Sequence, residues 1–186
     1  GCSNITMQNS VLWADVAHPI FIGIHGNSQK PEILENLNYQ NIDILDHNEK
    51  QINYQGCLAI NAGDNNLVRN VRFENIRVEN FRLGQLINLR IFYNKKYCTA
   101  PGRGIENVLF KDISYVGNRS LISIIEEYNE DRKIRNIRFE NLRINGELIA
   151  DDMPGKPKWY NTGDMANIYV GPHVDGVTFI NGNNGR

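Results

Sequence analysis

A nine-residue string, Asn70-Val71-Arg72-Phe73-Glu74-Asn75-Ile76-Arg77-Val78, is written repeatedly along this chain, and that repetition limits the fold more than any other feature. Close variants stand at Asn36-Leu37-Asn38-Tyr39-Gln40-Asn41-Ile42-Asp43-Ile44, at Asn107-Val108-Leu109-Phe110-Lys111-Asp112-Ile113-Ser114-Tyr115 and at Asn136-Ile137-Arg138-Phe139-Glu140-Asn141-Leu142-Arg143-Ile144. Shorter copies begin at Asn4 and Gly176. The starts at 4, 36, 70, 107, 136 and 176 lie 32, 34, 37, 29 and 40 residues apart. A unit of that length predicts a stack in which each repeat touches only its neighbours.

Within a unit, Val71, Phe73, Ile76 and Val78 are apolar while Arg72, Glu74, Arg77 and Glu79 are charged, and Asn75 breaks the alternation. Period-two patterning with β-branched and aromatic residues reads as a half-buried strand, bent at the asparagine. Leucine-rich, ankyrin and tetratricopeptide repeats have related periods, but each requires a helix or a fixed signature missing here. The expected fold is therefore all-β, a right-handed parallel β-helix (solenoid) of five to six coils forming a single domain over residues 1–186.

Such a coil needs a second strand after its turn. Aligning the chain on Asn27, Asn65, Asn94 and Asn129 brings Ile20, Leu58, Ile87 and Ile122 into one inward row and Ile22, Ile60, Leu89 and Ile124 into another. Phe21, Ala59, Asn88 and Ser123, then Gly23, Asn61, Arg90 and Ile125, would face outward. The four aligned asparagines are expected to form an amide ladder at a turn, since Asn tolerates the left-handed backbone such a bend needs. Trp13, at the end of an inward strand, is expected in the core, and Asn181 to Arg186 are expected to fray.

With 41% apolar residues and a net charge of −1, the chain can bury a continuous core, and its interspersed charges give no electrostatic reason for a nucleic-acid or anionic-membrane partner. No apolar run is long enough to span a bilayer. Cys2, Cys57 and Cys98 are too few and too scattered for a disulfide framework or a zinc site, so no metal and no cofactor is expected; Cys57 reads as a small buried hydrophobe. Repeat grammar begins at once at Asn4, with no cap before it. The expectation is a C-terminal part of a longer chain, or an open first coil through which copies self-associate.

The repeat grammar, together with Gly56-Cys57-Leu58-Ala59-Ile60-Asn61-Ala62-Gly63, resembles the polygalacturonase-like glycoside hydrolases of family 28 and their pectin-lyase-like β-helix relatives. The grammar spans most of the chain, and the local match covers about eight residues. The resemblance implies hydrolysis of O-glycosyl bonds in a polysaccharide with inversion, by an acid and a base that hold a water between them, and an extracellular or periplasmic location. In the register where His18-Pro19-Ile20-Phe21-Ile22-Gly23 matches the family's Gly-His-Gly segment, Arg90-Ile91 matches the start of its Arg-Ile-Lys, with Phe92 in place of the Lys. The catalytic aspartates would then lie upstream, leaving His18 and Arg90 in supporting catalytic roles and these residues inactive alone.

On the outward face of the second strand row, His18, Phe21, Asn61, Asn88 and Arg90 would form a polar strip flanked by Gln85 and Asp64, able to bind an oligosaccharide. Arg90 suits a uronate carboxylate; its plainer reading is a partner for Glu126 or Asp64. The plainer reading of His18 is a turn residue bonded to a carbonyl. Glu126-Glu127 and Asp151-Asp152 read as solvated surface, because neighbours on a strand point oppositely. Trp159-Tyr160, in a Pro/Gly-punctuated loop, is the better stacking platform for sugar. The Arg/Lys/Glu row of the repeat reads as cross-coil ion pairs. The alternatives are a β-helix that binds carbohydrate without cutting it and a purely structural β-helix.

Overall fold

The computed structural model describes residues 1–118 and 120–182, so most of the tail expected to fray, 183–186, lies outside the described residues. The elements run β1 (Cys2–Trp13), β2 (Ile20–Gly23), β3 (Ile33–Asp46), β4 (Gly56–Ala62), β5 (Leu67–Val78), β6 (Gly84–Ile91), β7 (Gly104–Tyr115), β8 (Ser120–Leu121), β9 (Ser123–Glu126), β10 (Ile134–Glu140), β11 (Leu142–Ile144), β12 (Glu147–Ile149), α1 (Thr162–Met165), β13 (Ile168–Val170) and β14 (Asp175–Ile180). The fold is all-β, as expected. Strands β1-β3-β5-β7-β10-β14 make the main path of one sheet, which also holds β11 and β12, and β13-β9-β6-β4-β2 that of the other, which also holds β8; every pairing along these two paths is parallel. From β1 to β7 the chain alternates between the sheets strand by strand.

The first sheet pairs each repeat with the next in the register the sequence dictates. Ile5, Leu37, Val71, Val108, Ile137 and Val177 lie in one row. Tyr39, Phe73, Phe110, Phe139 and Phe179 lie in another, their rings 5.2, 4.9, 4.9 and 4.6 Å apart and all within 18° of parallel. Offset stacking of this kind adds roughly 0.5–1.5 kcal/mol per pair beyond the area buried. Inward residues of both sheets form one continuous apolar cluster.

From β1 to β10–β11 the repeat is broken twice by an asparagine or aspartate in the left-handed region, as at Asn70 and Asn75 (φ 55° and 54°) and at Asn107 and Asp112 (56° and 53°), whereas β14 has Gly176 (76°) at the first break. The second break restores the apolar face after the alternation would have rotated it away. Their amides form two ladders. Asn136 donates to Asn107, which donates to Asn70, which donates to Asn36, which donates to Asn4. Asn75 donates to Asn41 and Asn41 to Asn9, and Asn141 donates to Asp112.

The ladder expected at Asn27, Asn65, Asn94 and Asn129 does not form. Asn27, Asn94 and Asn129 each accept from the backbone N–H two residues on, at Gln29, Lys96 and Asp131, so they close their own turns. Asn65 instead donates to the Ser28 carbonyl and accepts from Arg132.

In the second sheet the rows Ile20–Leu58–Ile87 and Ile22–Ile60–Leu89 are as expected, but the next strand is one residue out of the expected register. Ile87, Asn88 and Leu89 stand against Ser123, Ile124 and Ile125, because the strands pair at an offset of 36 while the Asn94-to-Asn129 alignment sets 35. A slip of one exchanges the faces: Ile122 is 50% exposed, whereas Ser123 and Ile125 are buried. Trp13, expected in the core, lies on the surface instead: it stands one residue past the inward Leu12, is 68% exposed and donates from Nε1 to Asp15. No helix among the described residues is long and apolar enough to cross a membrane.

Candidate ligand-binding site

The outer face of the second sheet, where a solvent-facing strip was expected, is covered. Gly56 through Ala62 are buried on both faces of β4, and Asn61, Asn88, Gln85 and Asp64 are buried with them. The cover is the segment between β3 and β4. Tyr54 packs on Phe92 with rings 4.9 Å apart and joins Phe21, Ile24, Tyr93 and Cys98 in a second apolar cluster. Beneath it runs a buried amide chain: Asn61 donates to Asn88 at 2.8 Å and Asn88 to Gln85 at 2.6 Å, leaving Asn61 Oδ1 unpaired.

The remaining strip residues are held by protein partners. Arg90 donates twice to Glu126, at 2.9 and 2.5 Å, and once to Asn53 at 2.7 Å, with its guanidinium 5.3 Å from the Phe92 ring and its side chain only 17% exposed. It is the partner of Glu126, not a free cradle for a uronate. His18 donates from Nε2 to the Tyr54 carbonyl and lies 4.5 Å from the Phe21 ring. A carbonyl only accepts, so the proton sits on Nε2. Burial pushes the His18 pKa down despite that bond and the nearby Glu49 carboxylate. The expected oligosaccharide strip is thus a polar and aromatic seam in which Asn61, Asn88, Gln85 and Asp64 are buried and His18, Phe21 and Arg90 are half-buried against protein partners.

Among the carboxylate pairs, Glu126 faces outward to Arg90, while buried Glu127 accepts from the His173 N–H at 3.0 Å. Asp151 accepts from Thr162 Oγ1 and from the Phe179 N–H, at 2.5 and 2.9 Å, and so ties α1 to β14. On the first sheet Lys111 lies 3.4 Å from Glu74 and 4.0 Å from Glu140, and Arg77 bonds Asp43 of the preceding strand, giving the cross-strand ion pairs expected. Arg72–Glu74 and Arg138–Glu140 instead pair within a strand. At these exposures each contributes under about 1 kcal/mol.

The loop between β12 and α1 differs from the strip. Trp159 is 83% exposed and meets Tyr160 edge-on, with ring centroids 5.8 Å apart. Tyr160 closes one side of a surface cleft of about 560 Å3, bounded also by Pro154, Pro157, Lys156, Glu147 and Met165. Two prolines fix the backbone there, so the aromatic pair stands on a stiffened loop.

One cluster escaped the sequence reading. His25, Asp64 and Cys98 lie two to seven residues beyond β2, β4 and β6, on three adjacent turns, and their ligand atoms all fall within 4.8 Å of one another. Separated by 39 and 34 residues, they lack the short spacing by which ligand sets are recognised. Asp64 is anchored by Gly26 N, Thr99 N and Thr99 Oγ1, at 3.1, 2.7 and 3.2 Å. Burial alone would raise its pKa, but the bonds from Thr99, Gly26 and Ala100 outweigh burial and hold it low. No protein-family model matches the chain, and neither a curated protein nor a solved structure matches it.

Proposed function

We propose that this chain is a right-handed parallel β-helix, one lap per repeat, that binds polysaccharide without cleaving it. The two parallel sheets, the alternation of the chain between them and the like-on-like rows support the lap. The single observation that carries the ligand is the exposed Trp159–Tyr160 pair beside its cleft. A pyranose ring presents an apolar C–H face to an indole and hydroxyls to the polar rim, while Lys156 in the cleft and the exposed Lys158 suit a uronate.

The polygalacturonase-like resemblance supports the ligand class and an extracellular or periplasmic location. Hydrolysis by these residues is disfavoured. An inverting pair of carboxyl groups needs roughly 6.5–9.5 Å between them and a free water, whereas Glu126, Asp64 and Glu49, the acids at the seam, are bound to Arg90, to the Gly26 and Thr99 donors and to the Gln51 N–H.

Affinity electrophoresis on polygalacturonate and on a neutral glucan tests this reading. Retardation is expected on the uronan, weakened about tenfold in Trp159→Ala, equivalent to roughly 1.4 kcal/mol. Equal retardation of the variant, or release of reducing sugar by the wild-type chain, would overturn it.

A further inference from the structure

We propose that His25, Asp64 and Cys98 form a binding site for a transition-metal dication, with Zn2+ the best match. The three side chains bring one nitrogen, one oxygen and one sulfur to within 4.8 Å of each other. Hard ions such as Ca2+ and Mg2+ select all-oxygen sets, whereas imidazole and thiolate favour Zn2+ and its neighbours. In a tetrahedral zinc site, bonds of about 2.0–2.3 Å put ligand atoms about 3.3–3.8 Å apart. A pair at the 4.8 Å limit therefore has to close by about 1.0–1.5 Å, and His25 is the exposed member of the three.

The surroundings are those of a supported site. The Asp64 carboxylate is fixed in direction by two backbone N–H groups and the Thr99 hydroxyl, the kind of outer contact that orients a ligand before the ion arrives. Cys98 and Asp64 are both buried, the sulfur directed at the Ile24 carbonyl at 3.7 Å. His25 closes the solvent side, with its ring 5.6 Å from Tyr97. On binding, the Cys98 thiol loses its proton to solvent; thiolate and carboxylate then neutralise the dication, and water fills the fourth position. This site lies on the turns after the second-sheet strands, whereas the sugar platform lies on the loop after β12, so one can fail without the other.

Titration of the full chain with Co2+ under reducing conditions, followed by competition with Zn2+, tests the assignment. One equivalent of Co2+ is expected to give a near-ultraviolet thiolate-to-metal charge-transfer band and strong visible bands, both abolished by Zn2+. Cys98→Ser is expected to remove the charge-transfer band, and Cys2→Ser to retain it. His25→Ala alters an exposed side chain and leaves the fold intact; it is expected to weaken binding at least about tenfold. Absence of the band in the wild type, its persistence in Cys98→Ser, or unchanged affinity in His25→Ala would overturn the site.

Discussion

Phe110 stands in the middle of the aromatic column, fully buried, with Phe73 and Phe139 each 4.9 Å away. Truncation leaves a cavity that the neighbours cannot close, because their own positions are fixed by parallel strands on either side. Phe110→Ala is expected to lower unfolding stability by about 3–5 kcal/mol, and Phe179→Ala, which among the described residues has a ring neighbour on one side only, by less. Urea denaturation of the two variants gives the comparison; an equal loss would mean that stacking adds nothing to burial. Two histidines set a different property at the same scale. Burial pushes His18 and His47 below their ordinary value of 6.5, and the carbonyls of Tyr54, Gln55 and Ala17, with nearby Glu49, recover only part of that drop. The unfolded chain therefore takes up protons first as the solution is acidified. Stability from these groups is fully present above about pH 6.5 and is lost as pH falls through the folded values. The urea midpoint is expected to hold from about pH 8 to 7 and to fall towards about pH 5, less steeply in His47→Gln. A midpoint that rises on acidification would contradict the burial of both rings.

At the scale of the strand, the asparagines do two jobs that substitution separates. Asn75 has φ 54°, donates to Asn41 at 3.3 Å and accepts from Arg77 at 3.0 Å. Asn75→Gly keeps the left-handed backbone and loses the side-chain bonds; Asn75→Ala loses both. The alanine variant is expected to be less stable than the glycine variant by about 1 kcal/mol or more, the cost of placing a Cβ in that region. Equal stabilities would assign the role of Asn75 to its amide alone. The first sheet was legible because its strands carry the same landmarks with few replacements, Asn at the breaks (Asp112 and Gly176 excepted) and Phe in the inward row (Met7 and Tyr39 excepted), and those fix register without reference to anything distant. The second sheet was legible only as far as β6. Around β9, Ile122, Ile124 and Ile125 flank Ser123 so that either parity offers an apolar face. The choice is made by the Ser123 hydroxyl, which accepts the Ile87 N–H at 3.1 Å where the strand breaks between β8 and β9. The site was less legible still. Whether Asn61, Asn88 and Arg90 meet solvent depends on Asn53 and Tyr54, in a segment with no repeat pattern to position it.

In the molecule as a whole, the main-path strands of the first sheet are hydrogen-bonded to the strands before and after them in the stack, with β11 added beside β7, and among the described residues β1 has a partner on one side only. Its outward side chains Val11 and Trp13 are exposed, whereas the inward residues of β5 and β7 are closed over from both directions. Opening such a stack from an end breaks one row of bonds, while opening it at the centre breaks two and exposes the Phe73–Phe110 contact. Amide exchange followed by mass spectrometry is therefore expected to be fastest in β1, slower in β3 and slowest in β5 and β7. The same reasoning makes disturbance local. Phe179→Ala in β14 should speed exchange in β14 and β10, its direct partner, and leave β3 unchanged. Uniform protection from β1 to β14, or acceleration of β3 by a substitution in β14, would mean that the sheets unfold as one unit and that stability is not held between neighbouring strands.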